Sequence, residues 1–216
     1  MKKSTFEIPI FPLDGVIILP GSLLPLNIFE KRYLNMVEDC LKSKSRLIGV
    51  VQPLMKKQNK DTTFKNIIGC FGKIIKFEET EQNTFLITLK GLSRFKIIDS
   101  NLVRRGYVKS SISTKNFHKD LNQIKNYKSF KFADDKRLKM ILKSYLKLKK
   151  LNSNWNYISS CSNFNLINQL AMICPFSAHE KQMLLESVSM DERYVLLVSI
   201  LQNMVNPNEE QNQIKH

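Results

Sequence analysis

The sequence predicts an α+β protein, with an antiparallel β barrel or curled sheet in its first half and a helical bundle in its second. Three observations carry this. Strand-like segments follow closely from Phe6 to Ile112 with one amphipathic helix among them. Past Ala133 the hydrophobic period changes from two to about 3.6. Helix-capping signatures recur in the second half. The expected organisation is a β domain over 1–115, a linker or irregular segment over 116–133, a helical bundle over 134–206 and a frayed tail over 207–216.

The β half opens with Phe6–Ile10, which alternates apolar and polar residues like a half-buried strand. Pro9 cannot donate to a ladder and points to an edge position. Val16–Leu19 is a short apolar run between the turn signals Asp14-Gly15 and Pro20-Gly21. Phe29, Tyr33, Met36, Val37, Cys40 and Leu41 share one face at helical spacing, and Lys31, Arg32, Asn35, Glu38, Asp39 and Lys42 take the other. Leu47–Val51 reads as a buried strand, and the lysine-rich Leu54–Asn66 as a loop or hairpin tip. Ile67–Phe77 is a strand whose glycines suggest a bulge or close packing. Glu78–Asn83 reads as a polar turn. Thr84–Lys90 is strand-like, Gly91 breaks it, and Ser93–Ile98 resumes the alternation. Tyr107–Ile112 completes the set.

In the helical half, Leu138, Ile141, Leu142, Tyr145 and Leu146 form an amphipathic face, with Asp134-Asp135 at the favourable end of the helix dipole. Phe164–Ile173 is a second helix that stops before Pro175. Ser177–Glu180 is a capping box for a third helix and Ser189–Glu192 for a fourth, which carries Tyr194, Leu197, Val198, Leu201 and Val205.

A hydrophobic fraction of 43% suffices for a packed core and argues against a disordered chain. No run approaches the roughly 20 apolar residues of a membrane span. Glu7 and the prolines after the basic start interrupt any signal-peptide core, so no export is expected. Cys40, Cys70, Cys161 and Cys174 lack C-x-x-C spacing and read as reduced core thiols of a cytoplasmic protein. The net charge is +15, and between Asn101 and Lys150 fifteen basic residues face three acidic ones. Two explanations stay open: a solvated, compositionally biased face, or a functional basic surface for anionic partners.

Motifs for chemistry are missing. Gly69–Ile74 has the wrong spacing for a phosphate loop and no hydroxyl for magnesium. No dinucleotide fingerprint, nucleophile elbow or zinc-protease helix is found, and no cofactor is expected. Cys174 with His179 is a formal nucleophile and base, but Cys174 lies between Ile173 and Pro175 with no oxyanion site nearby. Glu78, Glu79 and Glu81 could gather as an acidic cluster, although a polar turn explains them better.

Phe11-Pro12-Leu13, Val16–Gly21 and Leu24–Tyr33 occur in order, followed by Ile48-Gly49-Val50 with Gln52-Pro53, Ile68–Ile74, Leu89–Phe95 and Leu170–Glu186. This succession resembles the N-terminal, substrate-recognition domain of Lon proteases, in particular its stand-alone bacterial members. The resemblance implies a PUA-like pseudobarrel followed by helices. It also implies recognition of unfolded or tagged polypeptide, with a protease or chaperone as partner. The ATPase and protease modules of the full enzyme have no counterpart in these motifs, so a non-catalytic binding or adaptor role is expected.

Leu23, Leu24 and Pro25 lie in what reads as a proline-bounded loop and are the candidate polypeptide contacts. Their alternative role is to cap the barrel core. Phe29 and Tyr33 are expected in the core, and Glu30 with Arg32 as an ion pair at the helix start. The competing function is RNA binding, since PUA-like folds include RNA binders. The aromatics of Asn101–Lys150 are scattered over different elements, which favours at most weak, nonspecific nucleic-acid binding.

Overall fold

The computed structural model describes residues 5–53, 65–120 and 135–206. Six strands, β1 (Thr5–Pro12), β2 (Leu23–Ile28), β3 (Leu47–Val51), β4 (Ile68–Glu79), β5 (Phe85–Leu102) and β6 (Val108–Ser113), form one sheet among the described residues. Helix α1 (Lys31–Lys42) lies between β2 and β3. The strand order is β2-β5-β4-β3-β1-β6, and β6 returns to pair with β5. Five strands therefore close into a ring, and β2 stays outside it as an edge that no other strand covers among the described residues. At 18 residues β5 is long enough for both tasks. Its first part pairs with β2 and its last part with β6.

The sheet is mixed. β1 and β3 run parallel from Ile10–Gly49 to Pro12–Val51, and the other pairings are antiparallel. A parallel pair needs a long crossover, which β2 and α1 supply. β1 is consequently an interior strand and not the edge that Pro9 suggests. Its proline is tolerated because β3 pairs only from Ile10 onward, and Pro9 has β6 alone beside it.

Gly91 does not break its strand. It pairs with Gly72, and its N–H donates to Ser22 O while its carbonyl accepts from Gly21. A Cβ at Gly91 would sit 2.2 Å from Leu19 O, so glycine marks a close backbone approach and not a turn. The expected bulge in β4 exists, with register shifts at Phe71/Gly72 and Ile74/Lys76. Inside the ring Ile8, Ile10, Val51, Phe71, Phe95, Ile97, Val108 and Ile112 form the core. Ile17, Ile18 and Leu19 are buried without strand pairing.

On α1, Tyr33, Met36, Val37 and Cys40 are buried as the periodicity predicts. Phe29 is not: it is 69% exposed. The helix begins at Lys31 after the N-cap Glu30, so Phe29 precedes the helical face on which it was counted.

The chain divides into two compact units, Met1–Lys125 with Pro175–Leu185, and Asn126–Cys174 with Glu186–His216. The first unit includes most of α5 (Ala178–Glu186), which the sequence groups with the bundle. Buried glutamines hold it there. Gln52 Nε2 donates to Ala178 O and Gln182 Oε1, and Gln182 Nε2 donates to Ile68 O. The helix opens with the expected capping box: Ser177 N–H donates to Glu180 Oε2 and Glu180 N–H to Ser177 Oγ.

The second unit holds α2 (Asp135–Leu148), α3 (Trp155–Ser160), α4 (Asn163–Ile173) and α6 (Met190–Val205). Leu138, Leu142 and Tyr145 on α2 and Leu197 and Leu201 on α6 are buried. Inside this unit Arg193 of α6 donates to Asn168 Oδ1 of α4 at 3.0 Å. The short α3, capped by Asn154, is absent from the sequence expectation.

Most of the loop expected at Leu54–Asn66, residues 121–133 of the linker and the tail after 206 lie outside the described residues. The start of the linker segment is ordered. A 3-10 turn at Lys115–Phe117 leads to Asp120, which is fully buried.

Candidate functional site

The outward face of β2, β5 and β4 is built by register and alternation. Leu23, Pro25 and Asn27 stand opposite Lys90, Thr88 and Leu86 of β5. On the far side of β5 the same three residues face Lys73, Lys76 and Glu78 of β4. Residues two apart on a strand share a face, so three rows result: Leu23–Lys90–Lys73, Pro25–Thr88–Lys76 and Asn27–Leu86–Glu78. All nine are exposed except Thr88, which is half-buried. The opposite face carries the buried Ile28, Phe85, Ile87, Leu89 and Ile74.

A groove of about 710 Å³ runs along this region, lined among others by Pro25, Ile75, Phe77 and Leu86. Ile75 is the extra residue of the second β4 bulge, which turns it outward. Phe77 packs edge-on against Phe85 at 5.0 Å and remains 41% exposed.

Leu23, Leu24 and Pro25 therefore belong to a strand and not to the loop read from the sequence. Alternation separates them. Leu23 is 55% exposed and Pro25 is exposed, whereas Leu24 turns to the inner face and is half-buried. The edge parity explains Pro25. Gly91 N–H donates to Ser22 O, so even-numbered residues of β2 direct their backbone groups to β5. The missing N–H of Pro25 then falls on the free edge, where no partner is lost.

Of the other candidates Glu78 alone borders this face. Glu30 and Arg32 form the expected ion pair at 2.8 Å, both about half exposed. Glu78 and Glu79 end β4, and the turn itself is Thr80–Thr84, closed by the hydroxyl contact between those threonines. Cys40, Cys70 and Cys174 are buried free thiols and Cys161 is partly so. Among the described residues no three His, Cys, Asp or Glu side chains gather as a metal site, and no helix is long and apolar enough to cross a membrane.

Part of the basic excess is committed to structure. Arg105, in the β5–β6 turn, binds Glu38 and Asp39 of α1, while Tyr107 donates to Asp39 Oδ2 at 2.8 Å. The Glu38 hydrogen bond foremost keeps Arg105 charged. Burial, then the Asp39 bond, pushes the Tyr107 hydroxyl above its ordinary range. Burial also pushes the Cys40 thiol up to about 12. Deeper in the first unit, Arg94 pairs with Asp120 at 2.7 Å, donates to Leu185 O and lies over the Phe117 ring.

The sequence model of the family described as the ATP-dependent protease La (LON) substrate-binding domain matches residues 7–203. The chain belongs to that family. The Lon protease of Brevibacillus choshinensis is 22% identical over 208 residues, covering 91% of this chain and 25% of its own length. The chain thus spans about a quarter of that relative. A Lon N-terminal domain protein from Xanthomonas campestris has a similar structure, with TM-score 0.55, 21% identity, and coverage of 90% of this chain and 98% of that one. The N-terminal domain of the Mycobacterium avium complex Lon protease gives TM-score 0.56 at 14% identity, covering 94% and 100%. The α+β architecture of this Lon domain and those structures is the same.

Proposed function

We propose that this Lon-family domain binds extended, unfolded polypeptide on the outward face of β2, β5 and β4, and that its 216 residues act by binding and not by hydrolysis. The observation that carries this is the exposed apolar set Leu23, Pro25, Leu86 and Ile75 beside a groove next to a free strand edge. Such residues on a solvent-facing sheet contribute nothing to the core, and contiguous exposed apolar surface marks interaction sites. The family relationship supports polypeptide as the ligand. A protease or chaperone would be the recipient of the bound chain, and the buried reduced thiols fit a cytoplasmic setting.

The test is a binding titration with reduced, carboxymethylated α-lactalbumin, an unfolded model client. Wild type should bind, and Leu23→Asp with Leu86→Asp should lose at least about tenfold in affinity, since each buried leucine contributes up to about 1.5–3 kcal/mol. Equal affinity of wild type and double variant would remove this face from the proposal. ATP or casein turnover that vanishes with one point substitution would remove the non-catalytic part.

A further inference from the structure

The outward face is not uniformly apolar, and its charges are arranged. Lys73 of β4 stands directly opposite Lys90 of β5, and Leu23 of β2 completes that row. Lys76 belongs to the next row. None of these three lysines has a carboxylate partner among the described residues. Like charges directly opposite across a ladder destabilise a sheet. An anion placed over the pair relieves that repulsion. Glu78 sits at the other end of the face, beside Leu86 and Asn27. The surface is therefore cationic at the Leu23 end and apolar to acidic at the Leu86 end.

An extended peptide laid along the strands turns every second side chain toward the sheet, about 6.6–6.8 Å apart. The rows have the same repeat, because on β2 and β5 they too are two residues apart, and on β4 the bulge at Ile75 absorbs the extra residue. A facing acidic residue over Lys73 and Lys90 then puts the next facing side chain over Pro25 and Thr88, and the following one beside Leu86. We infer that this face selects extended polypeptide segments in which one acidic residue is followed along the face, at two-residue spacing, by apolar ones. This rests on the polypeptide-binding role proposed above and narrows it to a class of client.

Phosphates of a single-stranded nucleic acid would also meet the three lysines. The three rows present leucine and proline, and the exposed ring at the groove, Phe77, is already packed against Phe85. Stacking supplies much of single-strand affinity, so peptide is favoured.

The experiment uses the full chain and labelled peptides of repeating Glu-Ser-Leu-Ser-Leu-Ser, with glutamine or lysine in place of glutamate, read by fluorescence anisotropy. The glutamate peptide should bind about two- to fivefold tighter than the glutamine peptide for each ion pair formed, the range of exposed pairs. The lysine peptide should bind weakest, and high salt should erase the differences. Lys73→Glu with Lys90→Glu should invert the order at an unchanged melting temperature. Equal binding of glutamate and glutamine peptides, both lost in Leu86→Asp, would overturn the acidic preference and leave polypeptide binding standing. No binding of any peptide or of the unfolded model client would overturn both. An oligothymidylate that binds as tightly as the glutamate peptide, through the lysines but indifferent to Leu23→Asp and Leu86→Asp, would overturn the inference in favour of nucleic acid.

Discussion

The two parts of β5 sit in one strand and do different work. Phe85–Lys90 has β2 on one side and β4 on the other, and its outward residues Leu86 and Lys90 meet solvent. Gly91–Leu102 lies in the closed ring, where Ser93, Arg94, Phe95 and Ile97 are all buried. In the first part, side chains on one face are free of packing duties and available to a ligand. In the second, even a charged side chain is used to hold the fold. Substitutions in the two parts should therefore separate stability from binding.

The largest effect is expected at the buried ion pair of the second part. Asp120→Ala leaves the Arg94 guanidinium buried without its carboxylate, which costs about 3–5 kcal/mol. Thermal unfolding of the variant should show it, with peptide affinity unchanged in the fraction that stays folded. A melting temperature close to wild type would mean that Asp120 is solvated and the pair marginal. Gly91→Ala comes next, at about 1–3 kcal/mol, because the new methyl meets the Leu19 carbonyl and both backbone segments must shift. Leu24→Asp should cost a similar amount, since Leu24 faces inward on β2.

These residues mark what was legible beforehand. The helix face of α1, the β4 bulge and the capping box Ser177–Glu180 were readable because each is written within about four to twelve neighbouring residues. The fold class followed from the same local periods. Asp120 was not readable. It lies in a polar, lysine-rich stretch, and its partner Arg94 is 26 residues away. Charges in such a stretch are usually solvated, and only tertiary closure buries this one. Of the three candidate contacts Leu23 and Pro25 are exposed, whereas Leu24, expected beside Leu23 at the surface, is half-buried. Two prolines and a glycine read as a loop, whereas pairing with Leu89 some 60 residues on makes a strand, and the strand period turns Leu24 inward. The lysines of the face were invisible for the same reason, because Lys73 and Lys90 become neighbours only through β4–β5 register.

A smaller effect is expected at alkaline pH, in the turn that follows the second part of β5. Tyr107 and Cys40 both have their acidities weakened by burial, Cys40 from 9.0 to about 12. A group whose pKa is raised on folding stabilises the fold below its ordinary value and loses that contribution as pH rises through the folded one. Melting temperatures should match between pH 7 and 8 and decline above about pH 9. Tyr107→Phe should flatten part of the decline. A decline that begins instead below pH 6 would point to carboxylates as the controlling groups.

The smallest stability effect is expected on the outward face, and it completes the contrast. Leu23 is more than half exposed, directly opposite Lys90, and makes no contribution to the ring. Leu23→Asp should therefore change stability by no more than about 0.5 kcal/mol, as for surface substitutions in general. It also places a carboxylate beside Lys90 and Lys73, where it can occupy the cationic row itself. Affinity for the glutamate peptide should then fall for two reasons: an apolar contact is lost, and an internal acid competes with the client's. Leu23→Asn removes the apolar contact without supplying the acid, so its loss should be smaller, and the difference between the two variants should vanish at high salt. Identical losses in both variants at low salt would mean that the lysines take no part, and a large melting drop in either would place Leu23 in the structural part of the sheet after all.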